Sequence, residues 1–466
     1  MPPKSNSNKK GIKKIKSVYK KELMRKLLLI LIIGFCLEKT SAQTNSFTLD
    51  DAVSYALKNN SASKNASSDL EIAQAKKWET IATGLPQISA FLEYSNNIKK
   101  PISLIPAEFF GGNPGEFSEI SFGTKQTFDG TAMLNQLLFN GSYMIGLMSI
   151  KLYLEIADKA KIKTDLEVKR NVISAYGNVL VSEERVKFLN DNLKNVKRNL
   201  EEIEKIYENG LTELENVEQL TITHSSLKNS LEYAIKFGKT SRNILKMVMG
   251  IPINEKIVLL EGLNELTIKK INTDKINQPV SIDQNIDYQI ALQNKNSQDV
   301  LFKLEKSKAL PTLSAFINGT YTGNSESFTF LDSEQKWYGS SVAGFTMSIP
   351  IFSSLRRSAK TQQAKIEVEK AKVDLKQTEQ KILVEIENAQ TNYQFAINQY
   401  YNTIQNLELA KKIEKKNEIK FYEGLASSFD LRQAQNQLYT IQNELLQSMS
   451  EVINRKTNLE ILLNEK

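Results

Sequence analysis

The sequence predicts an α+β membrane protein, in which a long antiparallel helical coiled-coil tunnel is joined to a transmembrane β-barrel, with four strands from each protomer and an internal duplication. Three observations predict it: two long stretches almost free of Pro and Gly, one order of elements read twice, and alternating segments too few to close a sheet.

The helices come first. No Pro occurs between Pro114 and Pro252 and none follows Pro350, and from Ile351 to Lys466 the only Gly is Gly424. Little there interrupts a helix. Residues 143–208 and 354–420 are expected to be long helices, each roughly 100 Å at about 1.5 Å per residue. Return helices are expected over about 216–249 and 430–463, and shorter ones over about 63–84 and 288–309 before the strands. A return helix and a pre-strand helix stacked end to end come close to the length of one long helix, so a layer four helices wide is expected. Val368, Leu375, Ile382, Ala389 and Ala396 recur every seven residues, with Ile386, Tyr393 and Tyr400 continuing the stripe, which predicts a coiled-coil seam. Thr48-Leu49-Asp50-Asp51 reads as a capping box opening a short helix to about Asn59.

Repetition organises the rest. Leu85-Pro86 answers Leu310-Pro311, and Leu137-Leu138-Phe139 answers Pro350-Ile351-Phe352. The hairpin turns match too, with Gly210-Leu211 answering Gly424-Leu425 and, six residues past each Gly, Asn216 answering Asp430. Residues 43–250 are read as the first repeat, 251–283 as a linking belt at mid-height and 284–466 as the second repeat. The first repeat has about a dozen extra residues, placed in an exposed loop at Asn97–Glu119 by its run of Pro and Gly.

Alternation marks the strands. Ile88, Ala90, Leu92 and Tyr94 share one face, with Leu313, Ala315, Ile317 and Tyr321 in the second copy and Ala343, Phe345, Met347, Ile349 and Ile351 after it. Aromatic residues flank them, as at a membrane interface. Ile88, Leu92, Leu313, Ile317, Phe345 and Met347 are the expected lipid-facing set. The other reading is a small soluble sheet with one apolar face. In lipid, open edges leave N–H and C=O groups unpaired, so further copies must close the sheet. Two copies give eight strands and a filled interior, three give twelve and a channel.

Charge and export bear on location. The formal charge of +8 hides an imbalance, because residues 1–42 hold eleven Lys and Arg against Glu22 and Glu38. The rest is nearly neutral and without a basic cluster, so no nucleic-acid partner is expected. The basic segment leads into ten apolar residues, Leu27–Cys36, and then Thr40-Ser41-Ala42. A membrane-spanning helix needs about 20 apolar residues, so this is read as a signal peptide cleaved after Ala42. Met24 is an alternative start, with residues 1–23 as an extension. Cys36 is the only cysteine, and Phe35 before it argues against lipidation. His224 is alone in a polar helix. No catalytic motif, metal site or cofactor site is expected.

These patterns, taken in fixed order and twice over, together with Phe47-Thr48-Leu49-Asp50-Asp51-Ala52-Val53, resemble the TolC-type outer-membrane efflux proteins across nearly the whole chain beyond the signal. The resemblance implies a homotrimer with a twelve-stranded barrel in outer-membrane lipid and a helical part extending into the periplasm. It also implies a passive exit duct for efflux or type I secretion, docked to a periplasmic adaptor protein and an inner-membrane pump of RND or ABC type, with the transported molecule selected mainly by the pump. It places Asp430, and less directly Asn216 and Gln433, at the periplasmic aperture; Asp430 can equally be a helix cap, or serve both roles. Gly210 and Gly424 make the turns. The competing classes are a periplasmic adaptor, which carries one hairpin rather than two, and a soluble coiled-coil scaffold.

Overall fold

The computed structural model describes residues 45–273 and 281–464. The expected signal peptide, its cleavage after Ala42 and Cys36 lie outside the described residues. Two compact units are distinguished. In the smaller, β1 (Asn45–Phe47) and β6 (Ile257–Leu259) pair in parallel, with Asn45 opposite Ile257.

The larger unit contains everything else. Along the first repeat run α1 (Leu49–Asn59), α2 (Ser61–Ala82), β2 (Gln87–Asn96), β3 (Ile102–Pro106), β4 (Phe117–Ser121), β5 (Gln126–Asn140), α3 (Gly141–Glu208) and α4 (Leu214–Met249). After α5 (Leu263–Lys270), the second repeat gives α6 (Ile286–Ser307), β7 (Thr312–Ser325), β8 (Trp337–Ser348), α7 (Arg356–Tyr422) and α8 (Ser428–Leu462). The long helices α3 and α7 have 68 and 67 residues, each roughly 100 Å long. The segment 97–119 is not a plain loop. From Ile102 it forms the ribbon β3–β4, which runs two residues past it to Ser121, antiparallel with Ile102 opposite Ser121, because Ile102, Leu104, Ile105, Phe117 and Ile120 give strand-forming side chains on either side of the Pro- and Gly-rich turn.

The helices form one layer. Nearer the sheet the order is α2–α3–α6–α7, and beyond the short helices it is α4–α3–α8–α7. Two asparagines splice the halves. Asn60 caps α2 through Oδ1, accepting from the Ala62 N–H at 2.7 Å, and its Nδ2 donates to the Val248 carbonyl in the last turn of α4 at 2.6 Å. Asn285 repeats this for α6, accepting from the N–H groups of Asp287 and Tyr288 and donating to the Leu462 carbonyl at the end of α8 at 2.9 Å. End-to-end stacking thus lets two short helices match one long one. The heptad seam of α7 is buried at Val368, Ile382, Ile386, Ala389, Tyr393, Ala396 and Tyr400, and half-buried at Leu375.

The four-stranded sheet is antiparallel throughout, in the order β2–β5–β7–β8. Strand β5 passes into α3 without a connector, Asn140 being both its last residue and the cap of the helix. Gly141 is required there, since a Cβ would come within 2.6 Å of the Leu310 side chain and 2.9 Å of the Ser307 carbonyl. The matching junction in the second repeat has slack. Strand β8 ends at Ser348, so Ile349 and Ile351 lie past it and not on its alternating face, and Ser354 and Leu355 turn the chain with φ of 49° and 61°.

Candidate functional site

Register sorts the sheet into two chemically different faces. Ile88, Leu134, Ile317 and Ala343 form one row across four strands, and Leu92, Gly130, Tyr321 and Gly339 another. Phe345 and Met347 share this face through their pairing with Ala315 and Leu313. All six residues singled out for lipid contact are therefore on one side, with Ile88, Leu92 and Phe345 at least 74% exposed. The other side is mixed, with Phe91, Val342 and Tyr338 exposed among polar residues. Asp129 accepts from the Thr322 hydroxyl at 2.5 Å, and Thr131 and Thr320 share a hydrogen bond at 3.1 Å. Glu93 and Asp129 pair on this side.

An aromatic group closes the end of the apolar face farthest from the helices. Tyr94, Phe128 and Trp337 belong to one row whose fourth member is Gly323. Phe330, from the loop between β7 and β8, fills the space over Gly323 and packs on Tyr94, Phe128 and Trp337 with ring centroids 6.0, 5.7 and 6.3 Å away. Ten residue steps along β7, from Gly323 to Leu313, separate this row from the last apolar one. At about 3.3 Å per residue and a tilt of roughly 40° that spans about 25 Å.

The opposite end of the helices is built from two matching turns. Gly210 and Gly424 have φ of 74° and 70°. In each the following Leu N–H reaches back five residues, Leu211 to the Ile206 carbonyl at 3.0 Å and Leu425 to the Lys420 carbonyl at 2.8 Å. This is the six-to-one closure of a left-handed helix end, which glycine adopts at least cost. Past the turns the repeats diverge. Asp430 and Ser427 form a capping box, the Ser427 N–H donating to Asp430 at 2.9 Å and the Asp430 N–H to Ser427 at 3.2 Å. The Ser427 hydroxyl and then its N–H hold the exposed Asp430 carboxyl below the usual range. Asn216 instead donates to the Thr212 hydroxyl at 2.8 Å, and Gln433 is exposed. The turns are tied together by the Ser428 hydroxyl on Gln219 at 3.2 Å, above a core of Ile203, Leu220, Phe421 and Leu431.

Periodicity gave no hint of the polar network behind this end. Glu418 on α7 is buried and takes Arg198 of α3 at 2.9 Å and Lys415 at 2.7 Å. Burial alone would raise its pKa, but Lys415 and Arg198 together hold it below the ordinary value. Glu414 is pushed up by burial and by the Glu418 charge. Tyr422 is pushed up by burial and by its hydrogen bond to Glu202. Farther up, Asn192 of α3 donates to Gln442 of α8 at 2.7 Å, both side chains buried. His224 is half-buried, and no group of three potential metal ligands exists among the described residues.

Long paired helices joined to a four-stranded antiparallel sheet are an arrangement this chain shares with outer-membrane channels of known structure. Solved structures share the fold. The outer membrane protein VceC of Vibrio cholerae has a TM-score of 0.67 at 16% identity, over 89% of this chain and 95% of that one. The CmeC channel of Campylobacter jejuni gives 0.67 at 18%, over 89% and 85%, and the open MtrE channel of Neisseria gonorrhoeae 0.64 at 15%, over 89% and 88%. No curated protein sequence matches. Residues 283–465 match the outer membrane efflux protein family, and that region spans the second repeat. The match is confined to the second repeat, and the chain as a whole has the fold of these channel structures.

Proposed function

We propose that three copies of this chain close their sheets into one twelve-stranded barrel and act as a passive exit duct. In this reading the helical layer extends into the periplasm, where an adaptor protein and an inner-membrane pump, of RND or ABC type, deliver substrates for efflux or type I secretion. The observation that carries the reading is the two-faced sheet with unpaired edges. Its apolar face spans about 25 Å, the height of the lipid-facing band in outer-membrane barrels. Among the described residues strands β2 and β8 each lack a partner on one side, and in lipid those bare N–H and C=O groups cost several kcal/mol each unless another copy pairs with them. The helical layer is compatible with the same closure. Its border helices α4 and α7 expose apolar side chains, Ile222, Ile235 and Ile244 on one and Ile366, Val373 and Val384 on the other.

Asp430 then serves two purposes, as a cap and as one member of a three-fold acidic ring at the aperture, with Asn216 and Gln433 as its polar neighbours. Ile88, Leu92, Leu313, Ile317, Phe345 and Met347 face lipid. Membrane fractionation followed by electrophoresis tests the assembly, and a heat-modifiable trimer in the outer-membrane fraction is expected. A monomer soluble without detergent would return the protein to the class of coiled-coil scaffolds. Planar-bilayer recording tests the ring: Asp430→Ala should weaken cation preference, and unchanged selectivity removes the aperture role.

A further inference from the structure

Between α4 and α8, with α3 as its floor, lies a groove of about 830 Å3. Arg185 of α3 lines it, half-buried, and its Nε is enclosed without an acceptor among the described residues. The acids beside it in sequence are engaged elsewhere, Glu183 with Arg242 at 2.7 Å and Glu184 with Lys187 at 2.8 Å. No carboxylate lines the groove, whose polar walls include the amides of Asn229, Asn443 and Gln447. On the α4 wall Tyr233 and Phe237 stack with centroids 6.1 Å apart and planes at 20°, and both remain exposed. The belt helix α5 leaves the groove open. Its Lys270 touches Glu460 of α8, whereas Gln447 on the groove side lies roughly 220° around the same helix at 3.6 residues per turn.

A guanidinium with no counter-ion among the described residues, a pair of rings and no acid in the lining make a recess complementary to a flat apolar body that carries one negative group. We propose that this groove binds aromatic organic anions, with a carboxylate or sulfonate on Arg185 and the ring system against Tyr233 and Phe237. The Arg185 guanidinium on the groove wall can donate a charge-assisted hydrogen bond to such a group. The site belongs to the helices of a single chain, so it stands whether or not the assembled duct does.

Titration calorimetry on the purified full chain in lipid nanodiscs, corrected with empty nanodiscs, tests this with 2-naphthoate and its neutral counterpart 2-naphthamide. The wild type should bind naphthoate at least about fivefold more tightly than naphthamide. R185Q should weaken naphthoate about tenfold, the size of one charge-assisted hydrogen bond, and leave naphthamide unchanged. Tyr233→Ala should weaken both. If R185Q does not fold, Asn443→Asp decides, since a carboxylate placed in the groove must lower naphthoate affinity and spare naphthamide. Equal affinity of the wild type for the two probes overturns the proposal, as does a preference that survives R185Q or Asn443→Asp.

Discussion

Asn60 and Asn285 each perform two tasks with one amide, and the tasks can be separated. Asn285→Asp keeps an acceptor for the first turn of α6 but points a carboxylate at the last carbonyls of α8, where a negative charge is disfavoured. Asn285→Ala loses both bonds at a buried position, a cost of about 2 kcal/mol. Hydrogen exchange should therefore show lower protection at the end of α8 in both variants and at the start of α6 only in Asn285→Ala. Glu414 and Glu418 titrate with opposite consequences. The depressed Glu418 contributes stability above the ordinary Glu pKa, and this is lost as acid protonates it through its lowered folded value. The raised Glu414 costs stability at neutral pH, and the cost disappears as pH falls through its elevated value. Glu414→Gln should accordingly increase exchange protection near the turns at pH 7, with the gain fading on acidification, whereas Glu418→Gln should reduce it. A Glu414→Gln variant less protected than the wild type at pH 7 would contradict this. Glycine was the legible part of this end, since Gly424 is the only Gly after Ile351 and Gly210 answers it at the matching place in the first repeat. The acid pair was not legible, because Glu414 and Glu418 are four apart in a helix dense with Lys and Glu, and nothing in that spacing distinguishes a buried carboxylate from a solvated one.

At the scale of elements, periodicity transferred well because it reports burial directly. The seam from Val368 to Tyr400 is buried as its seven-residue repeat requires, and the long helices lie within two residues of their expected ends. The hairpin β3–β4 was hidden by its own composition, since Pro and Gly concentrated in its turn masked the short apolar runs on either side. The splices were hidden too, though a clue was present: Asn60 and Asn285 stand as far apart as Leu85 and Leu310, which fixes them as equivalents. One element contact can be dissected further. Asn192→Leu strands the Gln442 amide inside the α3–α8 interface and should cost about 1–3 kcal/mol, while the double variant with Gln442→Leu should recover most of that loss. Denaturant midpoints for the two single variants and the double one provide the cycle. Additive losses would mean that the two amides do not depend on each other.

For the molecule as a whole, the two faces of the sheet set the decisive contrast. Ile317 lies midway along the apolar face, so under the proposed assembly Ile317→Arg should cost about 2–4 kcal/mol in the membrane and deplete the outer-membrane trimer. Ser340→Arg, on the mixed face, should leave the trimer intact, and quantitative blotting of heat-modifiable protein compares the two. Equal loss from both would mean that the faces do not meet different solvents.

The unequal junctions below the sheet give the two repeats different mechanical compliance. Strand β5 feeds α3 with no intervening residue, so a torque on that helix passes undamped into the strand. Residues 349–355 sit between β8 and α7 as a universal joint, which lets the second long helix swivel while its strand stays still. Slower deuterium uptake across 138–142 than across 349–355 would register the difference between a welded coupling and a jointed one.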